Sequence, residues 1–208
     1  MLFGCKNSEI GIFLDNFHKI YQNGNYKREV IEMVTRMEYL QKLLDWKDEK
    51  VIKVITGIRR CGKSTLLLQY QEHLKEQGID DSQIISVNFE DLQYEELLDY
   101  KTLYDYIQKR LCKDKMTYIF LDEIQKVDSF EKVVDSLHIK EHTDIYLTGS
   151  NAYMLSSDLA TLLTGRYVEL SMLPLSFKEY AQLTNDTSEH AFSDYMRYGG
   201  LPYVAAMD

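Results

Sequence analysis

Gly57-Ile58-Arg59-Arg60-Cys61-Gly62-Lys63-Ser64-Thr65 is the stretch on which the reading of this chain turns. It spells G-x-x-x-x-G-K-[ST], a phosphate-binding loop. Gly57 and Gly62 allow the backbone to curl and to approach a ligand closely. The curl turns successive N–H groups inward to make an anion site, and a following helix points its partly positive N-terminus at the same place. Lys63 supplies a full charge for outer phosphates, and the Ser64 hydroxyl suits a Mg²⁺ shell.

The flanks supply the context this motif needs. Val51-Ile52-Lys53-Val54-Ile55-Thr56 reads as a buried strand. From Leu66 to Leu74 the pattern is helical and ends before Gly78. Upstream, Val30, Met33, Val34, Met37, Leu40 and Leu44 share one helical face. Downstream, 83–89 reads as a second strand, followed by a polar helix from about Tyr94 to Leu111 with Leu97, Leu98, Tyr104 and Ile107 facing inward.

A second diagnostic stretch is Tyr118-Ile119-Phe120-Leu121-Asp122-Glu123. Four apolar residues run into two carboxylates, as expected where a buried parallel strand delivers its C-terminal end to a ligand. Asp122 is then the candidate Mg²⁺ residue and Glu123 the candidate general base for an attacking water. Asp128 or Ser129, with Glu131, offers a capping box for the next helix. The strand 143–148 leads into Thr148, Ser150 and Asn151, which either reach the same sheet edge or serve the turn that Gly149 begins. A helix over 153–163 precedes Thr164-Gly165-Arg166 and a fifth strand, 167–172. Ser176 and Glu179 form another capping box, and a last helix carries Phe192, Tyr195 and Met196.

The chain has 208 residues and a net charge of −9. Charges balance over residues 1–50, so the acidic excess lies in 51–208. This disfavours nucleic-acid binding through a broad basic face. Cys5, Cys61 and Cys112 are scattered without C-x-x-C spacing, which favours a reducing cytoplasm over a disulfide or zinc framework. No apolar run is long enough to span a membrane, and the first residues lack a signal-peptide core. Cys61, between Arg60 and Lys63 at a helix start, is expected to have a depressed thiol pKa and to be protected from alkylation by a nucleotide bound in the loop.

Six boxes carry a resemblance: the Gly57–Thr65 loop, Phe120-Leu121-Asp122-Glu123-Ile124-Gln125, Leu147-Thr148-Gly149-Ser150-Asn151, Leu163-Thr164-Gly165-Arg166, Leu173-Pro174-Leu175-Ser176-Phe177 and Tyr198-Gly199-Gly200-Leu201-Pro202. Together, in this order, they resemble a group of prokaryotic AAA-type P-loop ATPases from about Met33 to Asp208. The resemblance implies an α/β, three-layer α/β/α sandwich with a five-stranded parallel sheet in order 5-1-4-3-2. It implies ATP with Mg²⁺ as ligands, bound by Gly57, Ile58, Arg59, Arg60, Cys61, Gly62, Lys63, Ser64 and Thr65. It further implies Ser64 and Asp122 at the metal, Glu123 as base, Ser150 or Asn151 as sensor, and Arg166 near the γ-phosphate in cis or in trans, from a neighbour in a homo-oligomer. Residues 33–184 are then the ATPase domain, 185–208 the start of a helical C-terminal region that breaks off, and 1–32 an N-terminal extension or an early start.

No guanine-reading N-K-x-D box is present, so ATP is favoured over GTP. Arg36 and Tyr39 are candidates for approaching the adenine, and Arg59 and Arg60 either add charge to the loop or face outward to carboxylates. Three functions compete: an ATPase driving a conformational switch on an unidentified protein partner, a nucleotide-gated binding module with negligible turnover, and a small-molecule kinase using Glu90 and Asp91 for its acceptor.

Overall fold

In a computed structural model the described residues are 34–149, 163 and 165–205. The expectations for 1–33, for Ser150 and Asn151, for the helix over 153–163, for Thr164 and for 206–208 lie outside them.

Five strands form one all-parallel sheet: β1 Ile52–Gly57, β2 Ile84–Asn88, β3 Thr117–Asp122, β4 Thr143–Thr148 and β5 Tyr167–Met172. Their order is β2-β3-β4-β1-β5, the expected 5-1-4-3-2 order viewed from the other edge. The three central strands are buried along their whole length, whereas β2 and β5 are buried only in part. This is the burial that a sheet covered on both faces requires, and it explains the continuous apolar runs of the central strands.

Alternation along the strands divides the core into two layers. Ile52, Val54, Ile119, Leu121, Ile145 and Leu147 pack on one face with α3 (Tyr100–Gln108) and α4 (Phe130–His138). Ile55, Tyr118, Phe120, Tyr146, Leu170 and Met172 pack on the other with α1 (Met37–Asp45) and α2 (Lys63–Glu76). Leu40 and Leu43 of α1 are fully buried there, each contributing about 1.5–3 kcal/mol of burial. The second face also holds a polar network at the strand starts. Lys53 Nζ donates to Asp144 Oδ1 at 2.5 Å and to the Glu49 carbonyl at 2.8 Å. Tyr146 Oη donates to Asp144 Oδ2 and shares a hydrogen bond with Tyr70 Oη. Burial pushes the Asp144 carboxyl up, and Lys53 beside it opposes that shift.

Three local expectations need correction. The upstream helix, expected to include Val34, starts at Met37, with 34–36 outside it. The single helix expected from Tyr94 to Leu111 is a 3₁₀ segment, Leu92–Leu98, followed by α3. Asp99 divides them, because its side chain accepts from the Thr102 N–H and so caps a new helix. Of the expected inward residues, Leu97 and Ile107 are buried, and Leu103 joins them. The capping box expected at the start of α4 is absent. Ser129 is the N-cap at φ 58 and makes no side-chain cap hydrogen bond.

The box at Ser176 is present. Ser176 Oγ accepts from the Glu179 N–H, and Glu179 accepts from the Ser176 N–H, opening α5 (Phe177–Thr184). Phe177 and Tyr180 of α5 pack against Phe192 and Tyr195 of α6 (Glu189–Tyr198). Phe192 and Met196 remain largely exposed on their other sides. The chain then turns at Gly199 and Gly200 into the short helix α7 (Pro202–Ala205). A Cβ on Gly200 would lie 2.1 Å from the Leu175 carbonyl oxygen, so only glycine permits this backbone approach. Among the described residues no helix is long and apolar enough to cross a membrane.

Candidate functional site

β1 ends at Gly57 and α2 begins at Lys63, so the intervening loop sits at the C-terminal edge of the sheet. Positive φ values at Gly57 (154°), Arg60 (67°) and Gly62 (104°) produce its curl. The loop also lies close against β5. A Cβ on Gly57 would come within 2.5 Å of the Met172 carbonyl oxygen and 2.8 Å of Cys61 Sγ. Gly57 is therefore needed for close approach as well as for conformation.

Lys63, which closes the loop and opens α2, is almost wholly buried. Its Nζ donates to the carbonyls of Gly57 and Ile58, each at 3.2 Å, and lies 3.9 Å from Glu123 Oε1. The ammonium thus stands between the phosphate loop and the end of β3. Arg59 and Arg60 point away from the loop's interior. Arg59 reaches Glu90 at 3.2 Å with an exposed side chain, and Arg60 lies over the Tyr203 ring at 5.2 Å.

The carboxylate side follows from strand register. Phe120 is paired with Tyr146, so two residues further on Asp122 stands beside Thr148 on the same face. The Thr148 hydroxyl donates to Asp122 Oδ1. Thr148 Oγ1 in turn accepts the Glu123 N–H at 2.9 Å, and Gln125 Nε2 donates to Glu123 Oε2 at 2.5 Å. Glu123 itself has left-handed backbone, φ 57, which turns its side chain out of the strand's alternation. Thr148 thereby fixes both the metal candidate and the base candidate. The sequence leaves Thr148 between this edge and the turn, shows neither bond, and assigns Gln125 no role.

Thr148→Val removes one hydroxyl of nearly the same shape and leaves the Glu123 N–H without its acceptor. It should cost about 1–3 kcal/mol of stability, measured by urea unfolding.

Asp122 and Ser64 offer hard oxygen donors, a carboxylate and a hydroxyl. Among the described residues there is no group of three or more His, Cys, Asp or Glu side chains arranged for a metal. This donor set suits Mg²⁺, which takes few protein ligands and keeps water and phosphate oxygens, better than Zn²⁺ or Ca²⁺.

The remaining candidates are placed differently. Arg166 precedes β5, with Ile52 paired to Tyr167 and Gly57 to Met172. It therefore lies at the opposite edge of the sheet from the loop, a strand length of about 16 Å away. There it reaches Asp135 at 3.4 Å and remains 40% exposed. A γ-phosphate role in cis is not compatible with this position. Arg36 and Tyr39 are engaged by protein groups around Leu173 rather than open to a base. Cys61 also departs from expectation. It is fully buried, and burial pushes its thiol up, outweighing the pull of Lys63 and Arg36. Of the two described cysteines, Cys112 should therefore alkylate first in the folded chain, with Cys61 slow whether or not ATP is present. Mass spectrometry of iodoacetamide-treated protein checks this order.

Residues 49–181 match the AAA domain family. A Haemophilus influenzae protein is 43% identical over 182 residues, covering 85% of this chain and 46% of that protein. One from Methanocaldococcus jannaschii is 33% identical over 172 residues, covering 76% and 37%. The chain thus spans less than half the length of either relative. Among solved structures, a Walker-type ATPase of Pyrococcus abyssi superposes with TM-score 0.59 at 18% identity, over 84% of this chain and 66% of that one. PCH-2 of C. elegans gives 0.53 at 15% identity, over 88% and 52%. At these identities the likeness is one of fold.

Proposed function

Because this chain belongs to the AAA domain family over residues 49–181, we propose that it is a Mg²⁺-dependent cytoplasmic ATPase that couples ATP binding and hydrolysis to a conformational switch. The observation that carries this reading is the placement of Lys63 3.9 Å from Glu123, with Asp122 and Glu123 both tied to Thr148. It gathers a phosphate-binding cation, a metal carboxylate and a base at one sheet edge.

In this reading the loop N–H groups and Lys63 hold the phosphates, while Ser64 and Asp122 hold Mg²⁺. The metal neutralises charge on the phosphate oxygens when bound. Glu123, steadied by Gln125, orients a water and takes its proton. Ser150 and Asn151, which follow Gly149 in the sequence, are proposed to sense the γ-phosphate. Residues 33–184 are proposed as the ATPase unit. The test is titration of the full chain with Mg-ATP, with GTP and EDTA as controls, alongside phosphate release. Binding of ATP above GTP with release of phosphate supports the reading. No binding of Mg-ATP sinks it.

The exposure of Arg166 and its distance from its own loop favour action in trans, from a neighbouring copy. Turnover should then rise more steeply than protein concentration. Mixing Arg166→Ala with Glu123→Gln chains should restore part of the activity that each lacks, since one interface would hold an intact Arg166 opposite an intact Glu123. Failure of complementation with linear turnover argues against this role. Phosphate release absent at every concentration, with ATP bound, would favour a nucleotide-gated binding module. The kinase reading gains no support from its acceptor residues: Glu90 pairs at the surface with Arg59, and Asp91 accepts from the Gln93 backbone and side chain.

A further inference from the structure

Arg36 immediately precedes α1 and has only 6% of its surface exposed. A buried guanidinium is costly unless its donors are satisfied. Here all five are engaged. Nε and one Nη2 hydrogen hold the two Glu179 oxygens, at 2.9 and 3.1 Å, and Nη2 also donates to the Pro174 carbonyl at 3.2 Å. Nη1 donates to the Leu173 carbonyl at 2.6 Å and to the Cys61 carbonyl at 3.3 Å. The Tyr39 ring lies against the guanidinium at 4.4 Å, and Tyr39 Oη accepts the Leu173 N–H. One side chain therefore joins α1, the phosphate loop, the segment after β5 and the first turn of α5.

The bond to Cys61 bears on the site directly. In a trans peptide the carbonyl and the following N–H point in opposite directions. The Cys61 carbonyl is held toward a buried cation bonded to the Leu173 and Pro174 carbonyls, so the Gly62 N–H faces the other way, away from Arg36. The other end of the contact is Glu179, which also completes the cap of α5. Lys63 contributes nothing to this bracket, since its bonds are to Gly57 and Ile58.

We propose that Arg36 is a positioning residue. It fixes the Cys61–Gly62 peptide with its N–H toward the anion site, and it makes that orientation depend on the seating of α5 through Glu179. Nucleotide occupancy and α5 are then linked reciprocally: whatever loosens α5 weakens phosphate binding, and bound nucleotide protects α5. The proposal rests on the ATP-site reading for its ligand.

The test uses the full chain and two variants, Arg36→Lys and Glu179→Gln, with hydrogen exchange read without nucleotide and binding read with fluorescent Mg-ATP. Lysine keeps the charge but lacks the planar fork. Arg36→Lys should speed exchange at Gly62 and in 177–184, and weaken Mg-ATP binding about tenfold. Glu179→Gln, which touches no loop atom, should shift all three readings in the same direction by less. The double variant should be no worse than Arg36→Lys alone. A merely structural Glu179 would loosen 177–184 and leave Gly62 exchange and ATP affinity as in the parent, and that result overturns the proposal. So does full additivity of the two substitutions. If Arg36→Lys does not fold, Glu179→Gln alone decides between these results. If the parent chain binds no Mg-ATP, the ATP-site reading has failed, and Gly62 exchange still decides the role of Arg36.

Discussion

Glu123→Gln should lower ATP hydrolysis by about 10²- to 10⁴-fold while Mg-ATP remains bound. Glutamine keeps the shape and a hydrogen-bonding oxygen but cannot take a proton from water. The backbone around it should be undisturbed, because the Glu123 N–H bond to Thr148 and the left-handed φ do not depend on the side chain. The carboxylate does share the site with Lys63, 3.9 Å away. Removing its charge leaves Lys63 freer to meet phosphate, so ATP affinity should hold or rise. Phosphate release and equilibrium binding measured on one preparation separate the two effects. Unchanged turnover would remove Glu123 from the chemistry.

Lys63→Ala should weaken Mg-ATP binding by roughly 30-fold or more, the loss expected when one member of a desolvated charge pair is truncated. Lys63 is already oriented by its own loop, through the carbonyls of Gly57 and Ile58. Little ordering therefore remains to be done when phosphate arrives, which is what gives a preorganised cation its affinity. The same substitution leaves two carbonyls without their donor and Glu123 without its nearby cation. A small fall in stability should accompany the loss of binding, and unfolding curves beside the titration show whether the protein remains folded. Affinity equal to the parent's would mean that the phosphates do not lie in this loop.

What was legible in the sequence is what local pattern controls. Strands β1 and β3 are buried on both faces, so 52–55 and 118–121 are apolar without alternation except at Lys53, and they read as such; 143–148 reads as a strand although it buries Asp144. The phosphate loop and the Asp122-Glu123 pair are contiguous, and Ser176 and Glu179 lie within one turn. What escaped depends on distant partners. Arg36 meets Leu173, Pro174 and Glu179 across more than a hundred residues of chain. Cys61 is buried because the loop lies against Met172 of β5, which its charged neighbours in sequence do not reveal. Arg166 is a different case. A residue just before a parallel strand must lie at the edge opposite the ligand site, so strand direction alone argued against a cis role. Asp99 could also have been found, since an Asp three residues before Thr102 is a cap signal inside an apparently continuous helical pattern.

The most direct measurement is a crystal structure of the full chain grown with Mg²⁺ and a non-hydrolysable ATP analogue. The account predicts phosphates within the curl of 57–65, Lys63 Nζ moved from the Gly57 and Ile58 carbonyls onto the outer phosphates, and Mg²⁺ at Ser64 and on the Asp122 side of the site. Phosphates bound elsewhere, with Lys63 still on its two carbonyls, would contradict it.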